Sequence, residues 1–144
     1  MQAKKVLIVE DDQELVRALS VRFRAQGFAV SAAYDAFSAV PTARSVQPDV
    51  ILLDLGLPAG DGFLVMERLR NFPSLASIPI VVLTARDPET ARQRAMVAGA
   101  IAFLRKPVDH EQLFHAIRRA VGDTESAAPE GAPIERKAAG GEPV

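Results

Sequence analysis

Residues 50–53, Val-Ile-Leu-Leu, form an unbroken run of branched apolar side chains that ends on Asp54 and then on a segment broken by Gly56, Pro58, Gly60 and Gly62. No polar residue alternates with the apolar ones, so the run suits a strand covered on both faces, as in a parallel sheet. The Gly and Pro residues cannot extend it. An acid is thereby carried on the C-terminal tip of a buried strand, the edge at which α/β sheets build their sites.

The pattern recurs along the chain. Val6-Leu7-Ile8-Val9 stops on Glu10-Asp11-Asp12, and Ile78-Pro79-Ile80-Val81-Val82-Leu83 stops on Thr84, with Pro79 tolerable at a strand's start. Phe28 to Ala33 and Ala100 to Leu104 read as two shorter strands, the latter followed by Lys106-Pro107. Between the strands the period changes to that of helices. Leu15, Leu19 and Phe23 share a face and Gly27 stops the helix; Asp12 reads as its N-cap rather than as a metal ligand. Asp35 or Ser38 can cap the second helix, which ends before Pro48, and Pro41 favours the shorter version that starts after Ser38. Asp61 is the expected cap of a third helix with Val65, Met66 and Leu69 inward. The fourth, over 87–98, has only Ala91, Ala95 and Ala98 on its stripe, which bury little surface and make it a candidate for movement. Asp109 caps a fifth built on Leu113, Ile117 and Val121 and stopped by Gly122, with His110 and His115 expected on the surface.

Five strands alternating with five helices predict a doubly wound, flavodoxin-like α/β fold with right-handed crossovers. In the strand order 2-1-3-4-5 the first and third strands flank the switch point, and Glu10, Asp11 and Asp54 become neighbours. Residues 1–122 are the expected folded domain. Residues 123–144, rich in Pro and Gly and without aromatic residues, read as a polar tail that cannot bury enough surface to offset its ordering entropy.

Composition narrows the function. With 17 Lys+Arg against 18 Asp+Glu, no electrostatic footprint for nucleic acid is present, and no DNA-binding motif follows the last helix. The apolar runs are too short to span a membrane, and the absence of cysteine rules out thiolate chemistry, so a cytoplasmic protein is expected. Carboxylates converging on one crevice repel each other, and hard oxygen ligands without His or Cys favour Mg²⁺ as the relief. Lys106 adds a point charge suited to phosphate and Thr84 a hydroxyl. A metal, a lysine, a hydroxyl and an aspartate nucleophile are the parts needed to take up a phosphoryl group as an acyl phosphate.

Glu10-Asp11-Asp12, Asp54, Leu83-Thr84-Ala85 and Lys106-Pro107, in order at four predicted strand ends, resemble the receiver domain of two-component response regulators, of the single-domain, chemotaxis-regulator type. The resemblance covers residues 4–122. It implies that Asp54 accepts phosphate from a sensor histidine kinase or phosphotransfer protein. It also implies that Asp11, Asp54 and the Gly56 carbonyl ligate Mg²⁺, with Glu10 acting through water. Lys106 would pair with the phosphoryl oxygens, Thr84 would bond them on activation, Phe103 would occupy the aromatic switch position, and the Lys106-Pro107 peptide would be cis. Signalling would run by protein contact through the face of the fourth helix, fifth strand and fifth helix, to a downstream protein or a phosphorylation-dependent homodimer.

Two departures bear on that face and that switch. The acidic pair common after the matching Gly-Ala is missing at Ile101-Ala102, and Phe103 replaces the commoner tyrosine. Gly56 and Arg86 flank the site and are expected to tune water's access to the acyl phosphate. The competing readings are a non-switching interaction module or phosphate sink, and a phosphohydrolase. The latter needs a second acid two residues after the nucleophile, where this chain has Gly56. Catalysis beyond the domain's own phosphorylation and dephosphorylation is not expected.

Overall fold

The structure, a computed structural model, describes residues 2–57, 62–85 and 88–122. The strands are β1 (Lys5–Val9), β2 (Ala29–Ala33), β3 (Val50–Leu53), β4 (Ile80–Thr84) and β5 (Ala102–Arg105), and they alternate with α1 (Gln13–Ala25), α2 (Ala36–Val46), α3 (Gly62–Arg70), α4 (Pro88–Val97) and α5 (His110–Ala120). The strands form one parallel sheet in the order β2-β1-β3-β4-β5, the doubly wound flavodoxin-like arrangement. Strands β4 and β5 begin two residues later than the apolar runs suggest.

The unbroken apolar runs are explained by two cores, one on each side of the sheet. Val6, Ile8, Val50, Leu52, Val81 and Leu83 point to one side, where Val16, Leu19 and Phe23 of α1 meet Leu113, Phe114 and Ile117 of α5. Phe23 is fully buried there, with ring centroids 5.4 Å from Phe28 and 4.8 Å from Phe114. Leu7, Val9, Ile51, Leu53 and Val82 point to the other, against Ala39 and Ala43 of α2, Met66 and Leu69 of α3, and Ala91 and Ala95 of α4. Strand side chains alternate in direction, so a strand covered on both faces must be apolar at every position.

Helix ends follow local chemistry. The side chain of Asp12 accepts from the Leu15 amide at 3.2 Å and that of Asp109 from the Gln112 amide at 3.1 Å, as their positions predict. The turn after α1 needs a left-handed residue, supplied by Gly27 at φ 92°.

The second helix corrects the sequence reading. It begins at Ala36 with Asp35, not Ser38, as N-cap: the Asp35 carboxylate accepts from both the Ser38 amide and the Ser38 hydroxyl at 2.8 Å. Pro41 therefore lies inside the helix and removes one backbone hydrogen bond. Pro41 is exposed, so water can serve the carbonyl that it leaves unpaired, and the doubly bonded cap outweighs the loss. The expected cap Asp61, the flanking Arg86 and the tail 123–144 lie outside the described residues.

Candidate phosphoryl-transfer and metal site

The backbone sets the site before any side chain does. Beyond the strands' own ladders, the Asp54 amide donates to the Val9 carbonyl at 2.9 Å and the Glu10 amide to the Ala33 carbonyl at 3.0 Å. The Lys106 amide donates to the Thr84 carbonyl at 3.0 Å. Each strand tip is thus locked to its neighbour one residue past the sheet. The Lys106-Pro107 peptide that follows β5 is cis.

Glu10, Asp11 and Asp54 each bring a carboxylate oxygen to within 4.8 Å of the others. Glu10 and Asp54 are buried and Asp11 is exposed, so the group opens to solvent on one side. Lys106 Nζ lies 2.8 Å from Glu10 Oε1 and 3.6 Å from Asp54 Oδ2. The other oxygens of Glu10 and Asp54 accept backbone amides: Glu10 Oε2 that of Asp12 at 3.0 Å and Asp54 Oδ1 that of Gly56 at 3.2 Å.

Charge does not balance within this group. One ammonium stands against three carboxylates, which leaves two formal negative charges. Burial pushes the Glu10 carboxyl above its ordinary range, with Asp54's charge adding to the effect and the Lys106 and Asp12 hydrogen bonds opposing it. Burial also opposes the charge of Lys106, yet the hydrogen bond with Glu10 and the charge of Asp54 hold its ammonium above the usual range. An all-oxygen cluster two charges short of neutral, open on one side to water, fits Mg²⁺, which keeps several waters and takes one or two carboxylates.

Thr84 ends β4 and is fully buried, and Phe103 is buried among the residues beneath α4. The structure therefore draws Glu10, Asp11, Asp54 and Lys106 into one group, and shows Thr84 and Phe103 on the strands beside it. Gly56 is exposed next to Asp54, and a Cβ placed there would lie 3.9 Å from Asp54 Oδ1, an ordinary contact.

One site residue escaped the sequence reading. A Cβ on Gly62 would fall 2.6 Å from the Asp54 carbonyl oxygen and 2.7 Å from Leu55 Cα, while the Gly62 amide donates to the Leu55 carbonyl at 2.9 Å. Only a glycine lets the start of α3 pack onto the backbone that carries Asp54. In the sequence it is one of several loop glycines, and nothing in their spacing singles it out.

Comparison with known proteins agrees with this geometry. The pattern of the response regulator receiver domain matches residues 6–118. Response regulator PleD of Caulobacter vibrioides is 38% identical over 114 residues, which are 79% of this chain and 25% of PleD. The DNA-binding dual master transcriptional regulator RpaA of Synechocystis is 35% identical over 114 residues, again 79% of this chain and 47% of RpaA. The chain thus spans between a quarter and a half of these relatives' length. Among solved structures, the receiver domain of sensor histidine kinase PA1611 from Pseudomonas aeruginosa superposes with a TM-score of 0.76 at 28% identity. The match covers 83% of this chain and 98% of that one, whose active-site cleft coordinates a magnesium ion. Four strand tips, an acidic group that fits Mg²⁺ and a matching pattern over nearly the whole sheet lead to one assignment: this chain belongs to the response regulator receiver domain family.

Proposed function

We propose that the chain is a phosphorylation-controlled signalling switch that accepts a phosphoryl group on Asp54 from a histidine kinase or phosphotransfer protein. The observation that carries this reading is the Glu10, Asp11 and Asp54 group with Lys106 reaching both buried acids. In the reaction a carboxylate oxygen of Asp54 attacks phosphorus, the bond from phosphorus to the donor's imidazole nitrogen breaks, and the imidazole leaves. Asp11, Asp54 and the Gly56 carbonyl would ligate Mg²⁺, with Glu10 acting through water. The ion would supply neutralisation of charge on the transferring group. Lys106 would shift from Asp54 towards the incoming phosphoryl oxygens and hold them by charge-assisted hydrogen bonds.

Phosphate on Asp54 would draw in the Thr84 hydroxyl and shift α4 and Phe103 together. Helix α4 is suited to such movement because its buried contacts are alanines, Ala91 and Ala95. Readout would occur on the α4, β5 and α5 face, where Met96, Val97 and Ile101 are 40%, 84% and 48% exposed and offer apolar contact to a target protein or a second copy. No helix among the described residues is long and apolar enough to cross a membrane.

The test is direct. With Mg²⁺ and acetyl phosphate the protein should gain an acyl phosphate that borohydride reduction and peptide mass spectrometry locate at Asp54, and Asp54→Asn should gain none. Labelling that persists in the Asn variant would overturn the assignment.

A further inference from the structure

Helices α3 and α4 face each other across a groove of about 410 Å³ lined by Phe63, Glu67, Arg70, Asn71, Arg94 and Ala98. Phe63, Glu67 and Arg70 recur at i, i+4 and i+7 on α3, and Arg94 of α4 and Ala98, just past its end, stand four residues apart, so both segments turn one stripe to the groove. This groove is separate from the phosphoryl-transfer group, none of whose residues lines it.

Its charges are held by neutral partners. The Arg94 guanidinium carbon lies 3.9 Å from the centroid of the Phe63 ring, and Arg70 Nη1 donates to the Ala98 carbonyl. Neither arginine makes an ion pair among the described residues, and Glu67, three residues from Arg70 on the same helix, does not close one. A guanidinium has five N–H donors. Among the described residues, no hydrogen bond from Arg94's side chain and only one from Arg70's is made, which leaves donors for a ligand. Arg94 already lies over one aromatic ring, and a guanidinium can stack on a second flat ring as well. Arg70 presents a fork that fits phosphate.

We infer that the groove between α3 and α4 binds a purine nucleoside monophosphate, with the base stacked on Arg94, the phosphate bonded by Arg70 and the base's N–H edge bonded by Glu67. The volume lies in the range of small-ligand sites. The three polar groups divide the work by chemistry: a flat cation for the ring, a donor fork for the anion and a carboxylate acceptor for the donors on the base. Asn71 stands at the α3 end of the groove with an amide for the sugar hydroxyls.

The probe is GMP, titrated calorimetrically into the full chain alongside guanosine and inorganic phosphate. Saturable GMP binding is expected, with each fragment binding at least about tenfold more weakly because it forfeits one of the two recognition elements. Arg70→Gln and Arg94→Gln should each weaken GMP by about tenfold or more while leaving the far-UV circular dichroism unchanged, as both side chains are exposed. Asp54→Asn should bind GMP as the wild type does, which separates this site from the phosphoryl-acceptor reading. Absence of saturable GMP binding, phosphate binding as tight as GMP, or undiminished binding by the Arg70→Gln, Arg94→Gln double variant would each overturn the proposal.

Discussion

Gly62→Ala tests how tightly the start of α3 is fitted against the strand that ends on Asp54. The added Cβ would sit 2.6 Å from the Asp54 carbonyl oxygen and 2.7 Å from Leu55 Cα, both backbone atoms that cannot rotate away. Reaching even the 3.0 Å that real Cβ atoms respect requires α3 and the end of β3 to part by several tenths of an ångström. Overpacking of this kind costs about 1–3 kcal/mol, and a backbone clash belongs at the upper end. Alanine regains up to about 1 kcal/mol by restricting the unfolded chain, so the net loss is about 2 kcal/mol. For a domain of this size that lowers Tm by about 8 °C.

Gly56→Ala is the matched control, because among the described residues its Cβ meets only Asp54 Oδ1, at 3.9 Å. A Gly-to-Ala change at a compatible position stabilises by about 0.4–1 kcal/mol through the unfolded chain, so the two variants should move in opposite directions. Far-UV circular dichroism is the assay of choice, since the chain has no Trp and one Tyr. Phosphorylation by acetyl phosphate should fall in Gly62→Ala, because the displaced atoms include Asp54's own carbonyl. Equal stability of the two alanine variants would refute the reasoning.

Two other outcomes are expected. Mg²⁺ at about one hundred times its dissociation constant should stabilise the fold by about 2.7 kcal/mol, chelation should reverse this, and Asp11→Asn should lose most of it; an unchanged shift in that variant would place the ion elsewhere. Asp35 lies below the ordinary carboxylate range because the Ser38 amide and then the Ser38 hydroxyl bond its charged form. A folded value below the unfolded one means that its stabilisation is complete above about 3.8 and is lost as pH falls through the lower, folded value. Asp35→Asn, which still caps, should match the wild type at pH 7 and lack this part of the acid sensitivity in urea titrations at pH 2–4; an identical pH dependence would show that the cap carries no charge-linked stability.

Much of the fold is written in short-range pattern. Val50 to Leu53 had to be a strand covered on both faces because no polar residue interrupts it, and Asp12 and Asp109 had to cap because their side chains reach an amide three residues on. The choice between Asp35 and Ser38 turns on Pro41, which the sequence presents as an interior defect, while its exposure, which makes the defect tolerable, is a tertiary property. The candidate site was legible as to which residues stand at strand tips, since a tip is where a run ends. Gly62 was not legible, since its requirement comes from the approach of α3 to the Asp54 backbone, and neither was the pairing of Arg94 with Phe63 across two helices.

The sequence by itself determined the alternation of strands and helices, the parallel buried sheet and the acids and lysine at its edge, because each depends on neighbours a few residues apart. Only the tertiary structure decided that Lys106 spans Glu10 and Asp54, that burial raises the Glu10 carboxyl while that pairing keeps Lys106 charged, and that a single glycine fits beneath Asp54. Those properties arise from distances between segments far apart in the chain and from the exclusion of water between them, and neither is set until the two faces of the sheet are covered.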